Sequence, residues 1–245
     1  MADVNRPAAG LRSFLHASLL DTAEMHGGPV SPYRPRCVCA LTLVAGAAVL
    51  AWSLRIPAGD PAFYLATLAL AAVWAVGARL SGPLPLAGRA GAGARVGDEL
   101  VRALVVGLVL LMVFVTGAVL VAQLPGLATP VQELLDHARQ GSLPLVALLT
   151  ALNGLAEELF FRGALFAALP RGWQLAGSTI LYTVVTAMSG IPLLAFAALV
   201  LGVVVGLQRR ATAGCLAPVV THLVWSLGML LLLGPTLSLA ARILS

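Results

Sequence analysis

Two adjacent acids and one arginine stand inside an otherwise apolar stretch of the chain, residues 143–169. They are Glu157, Glu158 and Arg162, in the segment Asn153-Gly-Leu-Ala-Glu-Glu-Leu-Phe-Phe-Arg-Gly163. An ionised side chain in the core of a bilayer costs about 2.5–3.5 kcal/mol on insertion scales, and charges found there usually serve a function. These three residues are therefore the first candidates for chemistry.

Helix geometry separates the two acids. Successive residues of an α-helix point about 100° apart, so Glu157 and Glu158 face different directions. Glu158 and Arg162 are four residues apart with the acid first, the favourable order for an ion pair that fixes Glu158. Glu157 falls on a polar stripe with Asn153, where a carboxylate suits a general base that activates water. The alternative is an ion pair that only locks the packing of the helix.

One histidine, His222, also lies inside an apolar segment, Ala217-Pro-Val-Val-Thr-His-Leu-Val-Trp-Ser226. Ser226 is one turn beyond it on the same helix face. Counted from the cytoplasmic ends of their spans, His222 is about 12 Å deep and Glu157 about 18 Å deep, at 1.5 Å per residue. The two side chains can therefore meet, since helix ends are uncertain by a few residues.

Composition indicates where these residues work. Of the 245 residues, 60% are hydrophobic and only 10% are charged, and the mean hydropathy is +0.97. Such a chain cannot cover itself with polar surface, which argues against a soluble domain, a disordered chain and a disulfide-stapled module. All 15 basic residues are Arg, and they form no basic stripe with aromatic residues between them, so the net charge of +5 indicates orientation in a membrane and no nucleic-acid partner.

The fold predicted is all-α, a polytopic transmembrane helix bundle of about seven (7–8) spans with the lipid bilayer as its surroundings. A span needs roughly 20 apolar residues. The apolar stretches are 37–54, 61–80, 100–124, 143–169, 173–188, 191–207 and 214–233.

We divide the chain into a cytoplasmic N-terminal segment (1–36), N-terminal transmembrane helices and loops (37–142), a core that carries the chemistry (143–233) and a C-terminal tail (234–245). With a cytoplasmic N-terminus and seven spans, Arg55, Arg139 and Arg242 lie outside and the other arginines inside. This positive-inside bias predicts a multi-pass protein of the cell membrane.

The segment Glu-Glu-Leu-Phe-Phe-Arg-Gly resembles the EExxxR motif of the CAAX-protease and bacteriocin-processing (CPBP, or Abi) family of intramembrane proteases. The Gly-rich helix that ends in Gly-Leu-Gln-Arg-Arg-Ala-Thr-Ala-Gly, followed by an apolar run with a histidine, is similar to the family's downstream pattern. The resemblance covers residues 143–233 and implies a CAAX-protease-like core. It also implies that Glu157 activates water and that Arg162 makes a structural contact.

Two motifs depart from the family pattern. The second motif, an aromatic residue with His four positions later, is matched by Tyr182 and Thr186; the third, His with Asn or Asp four positions later, is matched by His222 and Ser226. Hydrolytic zinc sites use three protein ligands. The cofactor therefore stays open between none and one divalent metal such as zinc, with Glu157 and His222 as its ligands.

The resulting hypothesis is an intramembrane endopeptidase that cleaves a membrane-associated peptide or lipidated protein. Its catalytic residues would be Glu157, Glu158, Arg162 and His222, and its supporting pocket would contain Asn153, Tyr182, Thr186 and Ser226. The alternative is a catalytically inactive relative that binds a membrane peptide or scaffolds a partner. A proton-coupled carrier ranks below both, since no inverted repeat is found.

Overall fold

The described residues of the protein, 33–86 and 96–244 of a computed structural model, fold into helices joined by short connections and contain no strand. The all-α prediction is confirmed, while the predicted N-terminal segment lies almost entirely outside the described residues. The helices are α1 (Tyr33–Ser53), α2 (Ala62–Ser81), α3 (Val96–Val121), α4 (Pro125–Gln140), α5 (Leu143–Ala168), α6 (Gln174–Ala187), α7 (Pro192–Thr212) and α8 (Leu216–Leu244).

Six of these helices, all except α4 and α6, are long and apolar enough to cross a membrane, which makes this a multi-pass membrane protein. Helix α6 occupies the fifth predicted span but has only 14 residues, about 21 Å at 1.5 Å per residue. That is shorter than the hydrocarbon core of about 30 Å. Every predicted span is thus helical, and one of the seven is short.

Two features lie outside the predicted spans. Helix α4, between the third and fourth predicted spans, begins at Pro125, because proline is favoured in the first turn of a helix, where its missing N–H is not needed. Helix α8 continues past residue 233 and through Pro235 to Leu244, so the C-terminal residues extend the last helix.

Small residues bring the helices together. Helix α3 packs along α8, α6 along α7, and α1 along α2. A Cβ at Gly107 of α3 would lie 2.9 Å from the Cβ of Val224 in α8, and one at Gly228 of α8 would overlap the side chain of Leu111. Lipid tails are as apolar as the surfaces of the helices, so the hydrophobic effect does not drive helices together in a bilayer. Helices there associate through close backbone packing at small residues such as glycine.

An aromatic cluster holds α5 between α2 and α6. The Trp74 ring centroid lies 5.0 Å from that of Phe160 and 5.1 Å from that of Phe161, and the Phe161 centroid lies 4.8 Å from that of Tyr182. All four side chains are buried. Tilted and edge-on ring pairs of this kind add to the energy of simple burial. The cluster therefore fixes the segment that carries Glu157 and Glu158.

Candidate active site

Helix α5 changes geometry inside the acid-rich motif. Residues Leu143–Glu158 are α-helical, Leu159–Leu165 are π-helical, and Phe166–Ala168 form a last α-turn. Short π-helical segments within α-helices are rare and often lie at functional sites. The sequence predicts a regular α-helix here, so the change of geometry is a finding of the structure alone.

Glu158 is the buried centre of a three-residue network. Its Oε1 lies 3.3 Å from Nη1 of Arg162 and 2.8 Å from Nδ1 of His222. Both Glu158 and Arg162 have no exposed side-chain surface, and a buried charge is tolerated only when it is paired. We assign the proton of a neutral His222 to Nδ1, because an ionised Glu158 can only accept hydrogen bonds, and Nε2 is then able to accept one.

Glu157 has different surroundings. Its side chain is 20% exposed, and its Oε2 accepts a hydrogen bond of 2.9 Å from the hydroxyl of Tyr182. The same oxygen lies 4.0 Å from Nε2 of His222. That distance is too long for a direct hydrogen bond but suits a water molecule that bonds to both atoms. Glu157 is therefore the accessible acid, while Glu158 is the enclosed one.

Tyr182 links the two acids. The guanidinium carbon of Arg162 lies 4.6 Å from the centroid of the Tyr182 ring, a cation–π contact, while the phenol hydroxyl bonds Glu157. The guanidinium also lies against Gly202 of α7, where an added Cβ would be 3.3 Å from Nη2 of Arg162. In sequence, Gly202 and Gly206 indicate only close helix packing; the structure adds that Gly202 leaves room for the arginine.

Three of the predicted supporting residues do not contact Glu157 or His222 through their polar atoms. Asn153 donates to the carbonyl oxygens of Thr67 and Leu149, so its amide is directed to α2. Thr186 donates to the carbonyl of Tyr182, and Ser226 lies 3.5 Å from the carbonyl of Leu223. Hydroxyl groups in helices often bond back to their own backbone. Asn153 and Glu157 therefore lie on the predicted polar stripe without a hydrogen bond between their side chains.

Arg209 is a contributor that sequence reasoning missed. It is only 2% exposed, its Nε donates to the carbonyl of Arg162 at 2.8 Å, and its guanidinium lies 5.3 Å from the Phe166 ring centroid. The sequence predicts that Arg209 is a cytoplasmic charge, because the predicted span ends at residue 207. Helix α7 instead continues to Thr212, which brings Arg209 under the π-helical segment.

A second missed contact steadies the helix of His222. The amide of Gln208 donates to the hydroxyl of Thr221 at 2.8 Å, and that hydroxyl donates to the carbonyl of Ala103 at 2.9 Å. All the bonded atoms are buried, and these two hydrogen bonds join α7, α8 and α3 beside the site. No sequence pattern pointed to it, since its members come from three separate spans.

The donor set does not fit a hydrolytic metal centre. Among residues 33–86 and 96–244, no group of three or more His, Cys, Asp and Glu side chains could hold a metal ion. Glu158 already engages Arg162 and His222, which leaves Glu157 and Nε2 of His222. Two ligands are fewer than the three of catalytic zinc sites, so the chemistry is derived from the side chains alone.

The comparisons with known proteins bear on the same region. Residues 139–228 match the family model described as type II CAAX prenyl endopeptidase Rce1-like. No curated protein and no solved structure matches the chain. The matched residues run from the end of α4 into α8 and include all eight predicted site residues.

Proposed function

We propose that the chain, whose residues 139–228 match the type II CAAX prenyl endopeptidase family model, is an intramembrane endopeptidase of the CAAX-protease (CPBP) family. Its substrate would be a membrane-associated peptide or a lipidated protein. The observation that carries this proposal is the 4.0 Å gap between Oε2 of Glu157 and Nε2 of His222. A water molecule in that gap has one acceptor on each side, which is the arrangement that a hydrolytic water needs.

The reaction follows from the roles of these groups. Water donates hydrogen bonds to Glu157 and to Nε2 of His222. Glu157 takes one proton as general base while the water oxygen forms a bond to the scissile carbonyl carbon and the π electrons of the C=O bond move onto the carbonyl oxygen. The tetrahedral intermediate then re-forms the C=O bond as its C–N bond breaks, and Glu157 returns the proton to the leaving amine. The carboxylate of Glu157 is regenerated, and water has been added across the peptide bond.

The neighbouring groups keep this arrangement in place. The Tyr182 hydroxyl orients Glu157, and Glu158 holds the Nδ1 proton of His222 so that Nε2 faces the water. Arg162 balances the charge of Glu158. A fixed environment of this kind costs no reorganisation when the reaction occurs. Under the topology predicted from the arginines, with the N-terminus in the cytoplasm of a cell-membrane protein, the site opens towards the cytoplasm.

Cleavage of defined peptides tests the proposal. Purified protein in liposomes is mixed with peptides that carry a lipidated cysteine near their C-terminus, with the same peptides without lipid, and with a transmembrane peptide. New peptide ends are measured by mass spectrometry. We expect hydrolysis of at least one membrane-bound peptide and none of the soluble form. Failure with every membrane-bound peptide would speak against the protease.

Removal of divalent metal is expected to leave hydrolysis unchanged within about twofold, because only Glu157 and His222 are available as ligands and catalytic zinc needs about three. The measurement is the initial rate before and after dialysis against EDTA and 1,10-phenanthroline. A loss of activity that added zinc restores would contradict this prediction and show that hydrolysis depends on a bound metal.

Thr186 favours a second candidate function, a non-catalytic protein that binds a membrane peptide. Its hydroxyl donates to the carbonyl of Tyr182, and a hydroxyl gives neither a strong metal ligand nor a base near neutral pH. If activity was lost at this position, Thr186→His is expected to raise hydrolysis by about 10²–10⁴-fold, the usual contribution of a general acid or base.

Thr183→His is the matched control for this substitution. Thr183 lies three residues earlier on the same helix and also bonds back to a backbone carbonyl, that of Thr179, but it does not stand at the position of the histidine in the family's second motif. An increase in hydrolysis with Thr186→His but not with Thr183→His supports the proposal of a non-catalytic protein. Measurable hydrolysis by the original chain that Thr186→His leaves unchanged or reduces argues for the protease as it stands.

A further inference from the structure

A groove separate from the acid–histidine network lies between α1, the end of α5 and α6. Its volume is about 310 Å³, near the lower end of the roughly 300–1,000 Å³ of small-molecule sites. None of the eight predicted site residues lines it. Its walls are Arg36, Cys39, Ala40, Leu43, Leu165, Ala168, Leu169, Pro170 and Leu181.

The groove is apolar with one basic residue at its rim. Arg36 is exposed, and its Nε donates to the carbonyl of Ala168 at 3.3 Å. Ala168 is the last residue of α5, and the chain turns away at Leu169 and Pro170, so no helical N–H reaches this carbonyl. The contact therefore holds the guanidinium of Arg36 at the opening of the apolar groove.

The surroundings indicate a membrane–water boundary. Arg34 precedes Arg36 by two residues of α1 and is exposed, and Arg171 follows the groove residue Pro170 and is also exposed. Trp173, in the same connection, is 64% exposed. Tryptophan and arginine side chains together mark the level of lipid headgroups, with arginine in excess on the cytoplasmic side.

We propose that this groove binds one acyl chain of an anionic phospholipid whose phosphate contacts Arg36. The charges are complementary, since the anion of the headgroup meets the rim arginine while the chain fills the apolar walls. A peptide in the groove would leave backbone N–H and C=O groups without partners, which is costly in an apolar environment. Free phosphate would leave the apolar walls empty. This proposal does not depend on hydrolysis.

Native mass spectrometry of the purified, delipidated protein tests the proposal. Dioleoyl phosphatidylglycerol and dioleoyl phosphatidylcholine, which share their acyl chains, are titrated separately, with glycerol phosphate as the chain-free anion. We expect phosphatidylglycerol to bind about fivefold more tightly than phosphatidylcholine, the effect of about one surface arginine. Glycerol phosphate should not bind. Equal binding of the two lipids would indicate general contact with lipid and overturn the proposal.

Variants separate the headgroup from the chain. Arg36→Gln should abolish the preference for phosphatidylglycerol, and Arg36→Lys should retain most of it, which also guards against a folding defect. Arg102→Gln is the matched control: Arg102 is exposed, is predicted to lie on the same membrane side, and does not line the groove. Leu181→Trp should fill the groove and weaken both lipids. A preference that survives in Arg36→Gln or disappears in Arg102→Gln would refute the site.

Discussion

Glu157→Gln is expected to lower hydrolysis of the natural substrate by about 10²–10⁴-fold, the usual contribution of a general base. Glutamine has nearly the same shape, and its side-chain oxygen can still accept the hydrogen bond of Tyr182. It cannot take a proton from water near neutral pH. The loss should therefore appear in the chemical step while the protein still accumulates in the membrane.

The measurement is the rate of product formation in liposomes at matched protein levels, with Glu133→Gln as the control. Glu133 is an exposed acid of α4, so its replacement should leave the rate within about twofold, as is usual for surface changes. Glu157→Asp retains the carboxylate but shortens its reach and should give an intermediate rate. Full activity of Glu157→Gln would disprove the proposed role of Glu157.

Arg162→Met is expected to destabilise the folded protein by about 3–5 kcal/mol, because it leaves Glu158 as a buried charge without its cation. Both members of the pair have no exposed side-chain surface. The double variant Glu158→Gln/Arg162→Met removes the charge as well, and the glutamine oxygen can still accept from Nδ1 of His222. It should recover a large part of the lost stability.

An exposed ion pair of the same length provides the control. Nη1 of Arg139 lies 3.3 Å from Oδ1 of Asp136, with side chains 49% and 41% exposed. Arg139→Met should cost no more than about 1 kcal/mol, the usual range of surface pairs. Unfolding by denaturant in mild detergent measures all three variants. If Arg162→Met is as stable as the original chain, or no less stable than the double variant, then Arg162 does not compensate a buried charge on Glu158.

Local spacing was enough to predict part of the site. Glu158 and Arg162 pair as their separation of four residues indicates, and the expectation that Glu157 and His222 can meet agrees with their distance of 4.0 Å. Both follow from helix periodicity and from depth in the membrane, which are properties of single spans. The all-α fold was predictable for the same reason, since apolar length alone specifies spanning helices.

The remaining contacts depend on how spans are placed against one another. The hydrogen bond from Arg209 to the carbonyl of Arg162 joins residues 47 positions apart. The sequence predicts that its donor, Arg209, lies in a loop. Asn153 could face Glu157 or α2, and only the position of the Thr67 carbonyl decides between them. His222 bonds Glu158 directly, where the sequence suggested only Glu157 as its partner. Such choices are tertiary and leave no periodic signature.

The π-helical segment Leu159–Leu165 has a consequence for the two ends of α5. A π-helical turn takes up one more residue than an α-turn, so everything beyond it is out of phase by about 100° with an uninterrupted α-helix. A regular α-helix through the same residues would rotate Phe166 and Ala168 away from Arg209 and Arg36, whereas deletion of one residue from the segment would allow regular geometry and keep these contacts. The backbone of α5 thus has two competing registers, and contacts with α1 and α7 at its far end select the one that is observed.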